Sequence, residues 1–273
     1  MVVNFLKASA VEGDLIPLAV YERAARKFSL TFREIEELIL ENGLFPLRYQ
    51  RQRKLLAIWG QLRLLRSRVA VVGCGGLGGS VFEMLVRLGV GCLLVIDPDF
   101  FVESNLNRQF LATTATLGRY KAEVARERGV IINPVVTVEV LNQSFQSERG
   151  VQFLASCDLV FDALDSIPLR LQLAELCSAH DLFLVHGAVD GWYGQVAPIA
   201  PASETMAQIY PRAAPKAPST GLEKPVGNLS PTVNAVAALQ VSAGLARLLD
   251  AQATSWSTGC FLDLLVPELD LWS

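Results

Sequence analysis

A run of glycines at residues 73–79 is the sequence feature that most directly indicates chemistry. It reads Gly-Cys-Gly-Gly-Leu-Gly-Gly and satisfies the GxGxxG pattern. Glycines at this spacing allow backbone N–H groups at a helix N-terminus to approach a phosphate. Asp97 follows nineteen residues after Gly78, where an acid can hold ribose hydroxyls. The pattern predicts a nucleotide site and does not by itself separate ATP from NAD or FAD.

Polar side chains suited to phosphate or metal contact follow in three later segments. Residues 104–110 read Ser-Asn-Leu-Asn-Arg-Gln-Phe, residues 117–121 read Leu-Gly-Arg-Tyr-Lys, and residues 162–166 read Asp-Ala-Leu-Asp-Ser. Basic groups and a metal-binding acid can neutralise charge on a phosphate that leaves. Each also has a structural interpretation: Arg108 as a loop arginine, Lys121 as a surface lysine and Asp165 as a helix cap. We expect a structural role for Asp162.

Other catalytic side chains are scarce in the 273 residues. The histidines are His180 and His186, and the five cysteines, at 74, 92, 157, 177 and 260, are at least eighteen positions apart. This spacing excludes a CxxC redox site, a zinc finger and a His-rich metal centre, and indicates a reducing compartment. We expect the cysteines to be small core residues. The net charge of −3 gives no reason to expect nucleic-acid binding. No apolar run approaches the roughly 18 residues that span a bilayer, so we expect no membrane contact and a cytoplasmic protein.

The glycine run must be positioned by a strand before it and a helix after it. Residues 68–72 predict a buried strand, a helix extends to about Leu88, and residues 92–96 predict the next strand. Further strands are expected at 136–141, 158–162 and 183–187, with helices near 118–131 and 167–179 between them. This alternation predicts an α/β fold with a Rossmann-like, mostly parallel sheet and flanking helices.

The two ends of the chain add elements to this core. Residues 1–45 predict a helical N-terminal extension, with helices over 14–28 and after a Thr31–Glu34 capping box. A third helix is expected from Arg48 to Arg66, and its basic residues could form a solvated face or meet phosphates or an acidic partner. Residues 198–231 contain seven prolines and predict a crossover without regular structure. A helix over 232–249 and a strand over 260–266 should follow.

In this order the motifs resemble the ThiF/MoeB/HesA family, bacterial relatives of ubiquitin-activating enzymes. Members share a GxGGxG loop, an acid at the end of the second strand, an SNLxRQ segment, a GxxK lysine and a D-x-x-D-N/S-x-x-x-R element, in which Arg170 is the arginine here. The match runs from Arg48 to about Leu249. Residues 46–273 are therefore interpreted as a ThiF/MoeB-like adenylating domain that follows the extension.

The resemblance implies adenylation of the C-terminal glycine of a ubiquitin-like sulfur-carrier protein (ThiS/MoaD type) with a Gly-Gly tail, using ATP and Mg²⁺ and releasing pyrophosphate. The pathway would be thiamine, molybdopterin or related sulfur-transfer biosynthesis. By position, the implied nucleotide-binding residues are Gly73, Gly75, Gly76, Gly78, Asp97, Asp99, Asn105, Arg108, Gln109 and Lys121. Asp165 would hold Mg²⁺, and Arg51 would reach the partner's ATP across a homodimer. The implied catalytic set is Arg108, Lys121, Asp165 and Arg51.

The sequence also departs from the family pattern and leaves alternatives open. The two CxxC pairs that hold zinc in many members are missing, so zinc is not expected, and a crossover without cysteine excludes a thioester there. One alternative is an ATP-dependent enzyme like the tRNA threonylcarbamoyladenosine dehydratases. Others are an NAD-dependent oxidoreductase, in which Arg108, Lys121 and Asp165 would have no role, and a non-catalytic scaffold. An ionised carboxylate substrate brings its own nucleophile, so the leading hypothesis needs no general base.

Overall fold

The N-terminal extension combines helices with a small parallel sheet, in a computed structural model that describes residues 1–211, 227–249 and 259–272. Its elements are α1 (Val2–Ala8), β1 (Leu15–Ile16), α2 (Leu18–Phe28), α3 (Phe32–Glu41) and β2 (Phe45–Pro46). The predicted capping box of Thr31 and Glu34 is confirmed. The helix predicted over 14–28 begins only at Leu18, because residues 15–16 pair with residues 45–46 as strands.

Ion pairs tie the predicted basic stretch to this extension. Arg48 pairs with the fully buried carboxylate of Glu36, and Arg53 pairs with Asp14. Arg66 contacts two glutamates of α3. Burial raises the pKa of Glu36, and the charge of Arg48 opposes that rise. These three arginines therefore hold the extension against the following helix, and contacts cross the predicted boundary at residues 45 and 46.

In place of the single helix predicted from Arg48 to Arg66, the structure has a 3₁₀ turn followed by an α-helix. Residues Leu47–Gln52 form a 3₁₀ turn, and α4 spans Arg53–Arg66. Ala57 interrupts α4 with φ 53° and ψ −172°, a backbone conformation outside the helical region. The segment that contains Arg51 therefore precedes α4 and has its own orientation.

The remaining strands form one eight-stranded sheet. They are β3 (Arg68–Val72), β4 (Cys92–Ile96), β5 (Thr137–Leu141), β6 (Leu159–Asp162), β7 (Leu184–Asp190), β8 (Tyr193–Ile199), β9 (Gly259–Asp263) and β10 (Glu268–Trp272). The order is β10-β9-β8-β7-β6-β3-β4-β5. The five strands from β7 to β5 are parallel, whereas β8, β9 and β10 add antiparallel pairs. This confirms the predicted fold class. The strand order reverses between β3 and β6, and ligands bind beyond the carboxyl ends of strands at such a reversal.

Helices cover both faces of this sheet. They are α5 (Gly76–Leu88), α6 (Lys121–Ile132), α7 (Glu148–Ala155), α8 (Ile167–Ala179), α9 (Thr205–Ile209) and α10 (Ser230–Leu248). Val69 and Val71 of β3 face a core shared with α5, α6 and α10, whereas Ala70 and Val72 face one shared with α7 and α8. All five cysteines are buried, as expected. Among the described helices, none has the length and apolar content needed to cross a membrane.

The C-terminal part differs most from the sequence prediction. Strand β8 was not predicted, because Gly194 and Pro198 belong to residue types that are depleted in strands. The strand predicted over 260–266 is confirmed as far as Asp263 and is wrong beyond it. Asp263 Oδ1 accepts hydrogen bonds from the N–H groups of Leu265 and Val266, and the chain turns there into β10. The predicted crossover begins inside β8 and contains α9, and its residues 212–226 lie outside the described part of the chain.

Candidate active site

The glycine turn between β3 and α5 is shaped by close backbone contacts. Gly73 has φ +90°, and a Cβ built on it would lie 2.6 Å from the carbonyl oxygen of Ala163. A Cβ on Gly78 would lie 1.8 Å from the carbonyl oxygen of Gly73. Side chains cannot fit at these two positions, so the turn itself requires both glycines. Ala163 belongs to the loop after β6, and it therefore packs directly against the turn.

A Cβ would be less crowded at the other two glycines of the motif, and Gly75 has more room than Gly76. A Cβ on Gly75 would meet Gln109 Nε2 at 3.6 Å, which is an ordinary contact, and one on Gly76 would lie 3.1 Å from Val233. Gly75 is the N-cap of α5 and has no side chain to cap the first N–H groups of that helix. These N–H groups and the positive end of the helix dipole suit a phosphate.

Asp97 is fixed beside this turn at the end of β4. Its Oδ2 accepts a hydrogen bond of 2.6 Å from Cys74 N–H, and its Oδ1 accepts one of 2.8 Å from Asp99 N–H. The residue is 5% exposed. Burial raises the pKa of Asp97, whereas Lys121 and the two N–H groups oppose the rise. The carboxylate is therefore oriented and partly desolvated beside the glycine turn.

Lys121 begins α6 and points to the same region. Its Nζ lies 3.0 Å from Asp99 Oδ2, and its N–H donates to the Asp99 carbonyl at 2.9 Å. The lysine side chain is 9% exposed and that of Asp99 is 68% exposed. A surface-lysine interpretation does not fit this burial. Lys121 lies at the positive end of the α6 dipole, which is unfavourable for another positive charge. The position therefore favours a further anion near Nζ in addition to Asp99.

The segment from Asn105 to Gln109 lines the opposite side of the glycine turn. Asn105 is buried, its Oδ1 accepts from Val102 N–H at 3.0 Å, and its carbonyl accepts from Gln109 N–H at 2.9 Å. Arg108 Nη1 contacts the Ser104 carbonyl at 3.0 Å, and its Cγ lies 3.5 Å from the position of a Cβ on Gly76. The base of the Arg108 side chain therefore lies against the α5 N-terminus, and the Ser104 carbonyl and Asn107 Oδ1 hold its guanidinium.

Gln109 supplies an acceptor that a bound nucleotide could satisfy. The residue is 5% exposed, and its Oε1 has no hydrogen-bond partner within the part of the chain that the structure describes. Buried polar atoms are rarely left unpaired. Because Gln109 lies against Gly75, a donor on a nucleotide bound at the turn could pair with this oxygen. This unpaired acceptor and the glycine cradle both fit ATP.

Asp162 and Asp165 occupy very different surroundings on the loop after β6. Asp162 is fully buried, accepts from Leu164 N–H at 3.0 Å, and lies 2.6 Å from His186 Nδ1. Asp165 is exposed, and among the described residues it forms no hydrogen bond or ion pair. The described ranges also contain no cluster of three acidic, histidine or cysteine side chains for a metal. Mg²⁺ is often held by one or two carboxylates together with substrate phosphates, so Asp165 fits that use.

Arg51 is the predicted site residue that the structure places elsewhere. The neighbouring Gln52 donates to the Leu88 carbonyl at 3.2 Å, at the last residue of α5. A Cβ on Gly89 would lie 2.4 Å from the Tyr49 hydroxyl, so this segment packs against the C-terminal end of α5. The glycine turn is at the other end of this 13-residue helix, about 20 Å away at 1.5 Å per residue.

Sequence reasoning missed the pairing of Asp162 with His186. The two residues are register partners, with Asp162 at the carboxyl end of β6 and His186 at the third residue of β7. Strands had been predicted at 158–162 and 183–187, and parallel neighbours bring their carboxyl ends to one edge. That adjacency was the available signal.

These features define a nucleotide-binding α/β protein: a glycine cradle, a strand-end acid, a buried lysine and a basic segment, all at the reversal of a parallel sheet. The chain belongs to the ThiF family, whose profile matches residues 49–265. This confirms the resemblance seen in the sequence motifs.

Individual relatives extend this family assignment. The chain is 36% identical over 196 residues to the SAMP-activating enzyme E1 of Haloferax volcanii, with 70% of each protein covered. It is 30% identical over 223 residues to the sulfur carrier protein ThiS adenylyltransferase of Escherichia coli, covering 77% of this chain and 89% of that protein. Among solved structures, Escherichia coli MccB with ATP matches with a TM-score of 0.68 over 93% of this chain and 82% of MccB. At 18% identity, that match shows the shared fold.

Proposed function

We propose that this protein uses ATP to adenylate the C-terminal glycine carboxylate of a ubiquitin-like sulfur-carrier protein and releases pyrophosphate. The observation that carries the proposal is the convergence of three phosphate-directed groups at one edge of the sheet. The open N-terminus of α5 begins in the glycine turn, the Arg108 side chain packs against Gly76, and the carbonyl of the buried Lys121 lies 3.9 Å from Cys74 Sγ. The name of the Escherichia coli relative, a sulfur carrier protein adenylyltransferase, supports the carrier protein as the class of substrate.

The reaction suits the side chains that are present. A carboxylate oxygen of the carrier forms a bond to the α-phosphorus, the bond from that phosphorus to the bridging oxygen breaks, and pyrophosphate leaves with the electron pair. No proton has to be removed, because the terminal carboxylate is ionised at pH 7. Arg108 and Lys121 would orient the triphosphate and neutralise its charge. Mg²⁺ held at Asp165 would supply further charge neutralisation.

A homodimer with two composite sites is part of the proposal. Arg51 lies near the far end of α5 from the glycine turn of its own chain. An extended arginine side chain covers less than half of the helix length, so Arg51 cannot reach the glycine turn of its own chain. In the proposed homodimer it reaches the nucleotide held by the second copy. Each nucleotide would then contact Lys121 of one chain and Arg51 of the other.

Pyrophosphate exchange into ATP, measured with a panel of small carriers that end in Gly-Gly, tests the proposed activity. Exchange with at least one carrier is expected, and its absence with every carrier would refute the proposal. Asp165→Ala should lower exchange by about 100-fold, the scale of losing a major electrostatic contact to the transition state. ATP binding in EDTA should remain. Glu175→Ala, which removes an exposed carboxylate from α8, is the matched control and should retain full exchange.

Nucleotide choice separates this proposal from an oxidoreductase. ATP should raise the melting temperature in a thermal-shift titration, and NAD should not, because the roles proposed for Lys121 and Arg108 require a triphosphate. Turnover of threonylcarbamoyl-modified tRNA, without exchange on any carrier, would favour the dehydratase alternative.

A further inference from the structure

A buried hydrogen-bonded chain lies directly behind the Asp165 loop, and the proposed chemistry gives it no role. Asp162 and His186 are both fully buried, with 2.6 Å between Oδ2 and Nδ1. The other ring nitrogen of His186 lies 3.2 Å from the hydroxyl of Tyr210. Tyr210 follows α9, at the beginning of the predicted crossover. The chain therefore links a strand end of the site to the crossover segment.

Donor and acceptor counting gives this network a direction. The Tyr210 oxygen accepts from Arg170 Nη1 at 2.8 Å and from Gln195 Nε2 at 3.0 Å. Both of these nitrogens can only donate, so the phenol hydrogen is left for His186 Nε2, which also lies 3.3 Å from Gln195 Nε2. His186 then carries its hydrogen on Nδ1 and donates it to Asp162. Burial raises the pKa of Tyr210, which keeps the phenol protonated. Every step of the chain has a matched donor and acceptor.

Arg170 connects this network to the loop that carries the proposed metal ligand. Its Nε and Nη2 both donate to the carbonyl oxygen of Leu164, at 2.9 and 2.6 Å. Leu164 immediately precedes Asp165. Arg170 is 8% exposed, and it is the arginine of the D-x-x-D-N/S-x-x-x-R element. One guanidinium thus holds a backbone carbonyl with two N–H groups and the Tyr210 hydroxyl with a third.

We propose that Tyr210 is a positioning residue for nucleotide binding: it holds Arg170 against Leu164 and so fixes where the Asp165 carboxylate lies. His186, oriented by Asp162, holds Tyr210 in turn. The placement of Asp165 therefore depends on the placement of residues 205–210 at the start of the crossover. This inference rests on the proposed function, because it takes Asp165 as the Mg²⁺ ligand. It adds that the crossover and the metal loop are coupled through side chains.

Removal of the Tyr210 hydroxyl should act on the loop more than on the fold. Without that oxygen, Arg170 Nη1 and His186 Nε2 lose a buried partner, and unpaired buried groups are costly. The guanidinium can then rotate away from Leu164 to find water. Asp165 would lose its fixed orientation. The glycine turn packs against the backbone of Ala163, and Asp97 is held by Cys74 N–H and Asp99 N–H, so neither depends on the Tyr210 hydroxyl for a hydrogen bond.

Calorimetric titration of ATP into Tyr210→Phe, with Mg²⁺ or with EDTA, tests the inference. We expect affinity in Mg²⁺ to fall about tenfold, the scale of one hydrogen bond to a charged group, and affinity in EDTA to stay within about twofold. Tyr21→Phe is the matched control, because it also removes a hydrogen-bonded phenol hydroxyl, which donates to the buried Glu36 at 2.8 Å in the extension. It should change neither affinity. Equal affinities of Tyr210→Phe and wild type in Mg²⁺, or equal losses in both conditions, would overturn the inference.

Arg170→Lys tests the same coupling if Tyr210→Phe does not fold. Lysine keeps the positive charge but cannot hold the Leu164 carbonyl with two N–H groups, so the same Mg²⁺-specific loss is expected. An Arg170→Lys protein with wild-type affinity in Mg²⁺ would refute the inference. These titrations require no carrier protein. A failed exchange assay would therefore refute the proposed function without deciding the outcome of the ATP titrations.

Discussion

Arg51 and Lys121 should serve the same nucleotide from two different chains. The segment of Arg51 packs at the C-terminal end of α5, whereas Lys121 lies beside the glycine turn at its N-terminal end. The 13 residues of α5 place about 20 Å between these ends. We therefore expect both Arg51→Ala and Lys121→Ala homodimers to lose pyrophosphate exchange, since every site in either protein contains one lesion.

Mixed dimers of the two variants should recover a fixed fraction of the activity. In a heterodimer, one site combines the intact Lys121 of the first chain with the intact Arg51 of the second, and the other site carries both lesions. Random exchange of subunits in an equal mixture makes about half of the dimers mixed, by the statistics of a two-fold symmetric pair. About a quarter of all sites, and so about a quarter of wild-type exchange, should return.

The assay is pyrophosphate exchange, measured before and after the two variants are incubated together. Incubation of Lys121→Ala with a second variant of the same site, Asp165→Ala, is a control in which no recovery is expected. Lys121 and Asp165 would act on the nucleotide of their own chain, so each site of a mixed dimer still carries one of the two lesions. No recovery with Arg51→Ala, although native mass spectrometry shows mixed dimers, would refute the composite site. An Arg51→Ala homodimer with full activity would do so as well.

Three further predictions follow from single contacts. Gly78→Ala should prevent folding, because its Cβ would lie 1.8 Å from a backbone oxygen. Gly75→Ala, with its nearest contact at 3.6 Å, should shift the melting temperature by only a few degrees and weaken ATP binding about tenfold or more in calorimetry. Wild-type affinity in Gly75→Ala would contradict the proposed cradle. Since burial raises the pKa of Asp97, its carboxylate becomes protonated at a higher pH than that of an ordinary aspartate. ATP affinity should therefore fall on acidification in wild type and less so in Asp97→Asn, and parallel pH profiles would exclude Asp97 as the titrating group. Arg48→Ala should lower the free energy of unfolding in urea by about 3–5 kcal/mol, because Glu36 keeps a buried charge without its partner, and a loss under 1 kcal/mol would show that water replaces the arginine.

The sequence was sufficient for the parallel part of the sheet, because its strands are short apolar runs between helical periods. The glycine turn and Asp97 also lie where their spacing predicts, since one strand, one turn and one helix determine that geometry. These features depend on residues that are close in the chain. Local pattern therefore carried most of the information about the nucleotide cradle.

Features that depend on distant residues were not predictable in the same way. Tyr210 contacts His186 and Arg170 only because β7, β8 and α8 are adjacent in the folded chain. No hydrophobic period in the local sequence indicates that contact. The end of β9 at Asp263 depends on a side-chain hydrogen bond to the following backbone. The proposed role of Arg51 depends on a second chain.

The strand order has a consequence for how the protein is made. β3 pairs with β6, and Arg68 and Asp158, at the start of this pairing, are separated by 90 residues. A ribosome that adds about 5–20 residues per second needs about 5–20 s to synthesise that interval. During that time one edge of the apolar β3 has no partner, and exposed edges of this kind favour aggregation. Co-translational folding should therefore be slowest at the centre of the nucleotide site, and chaperone dependence should concentrate on nascent chains that end between β3 and β6.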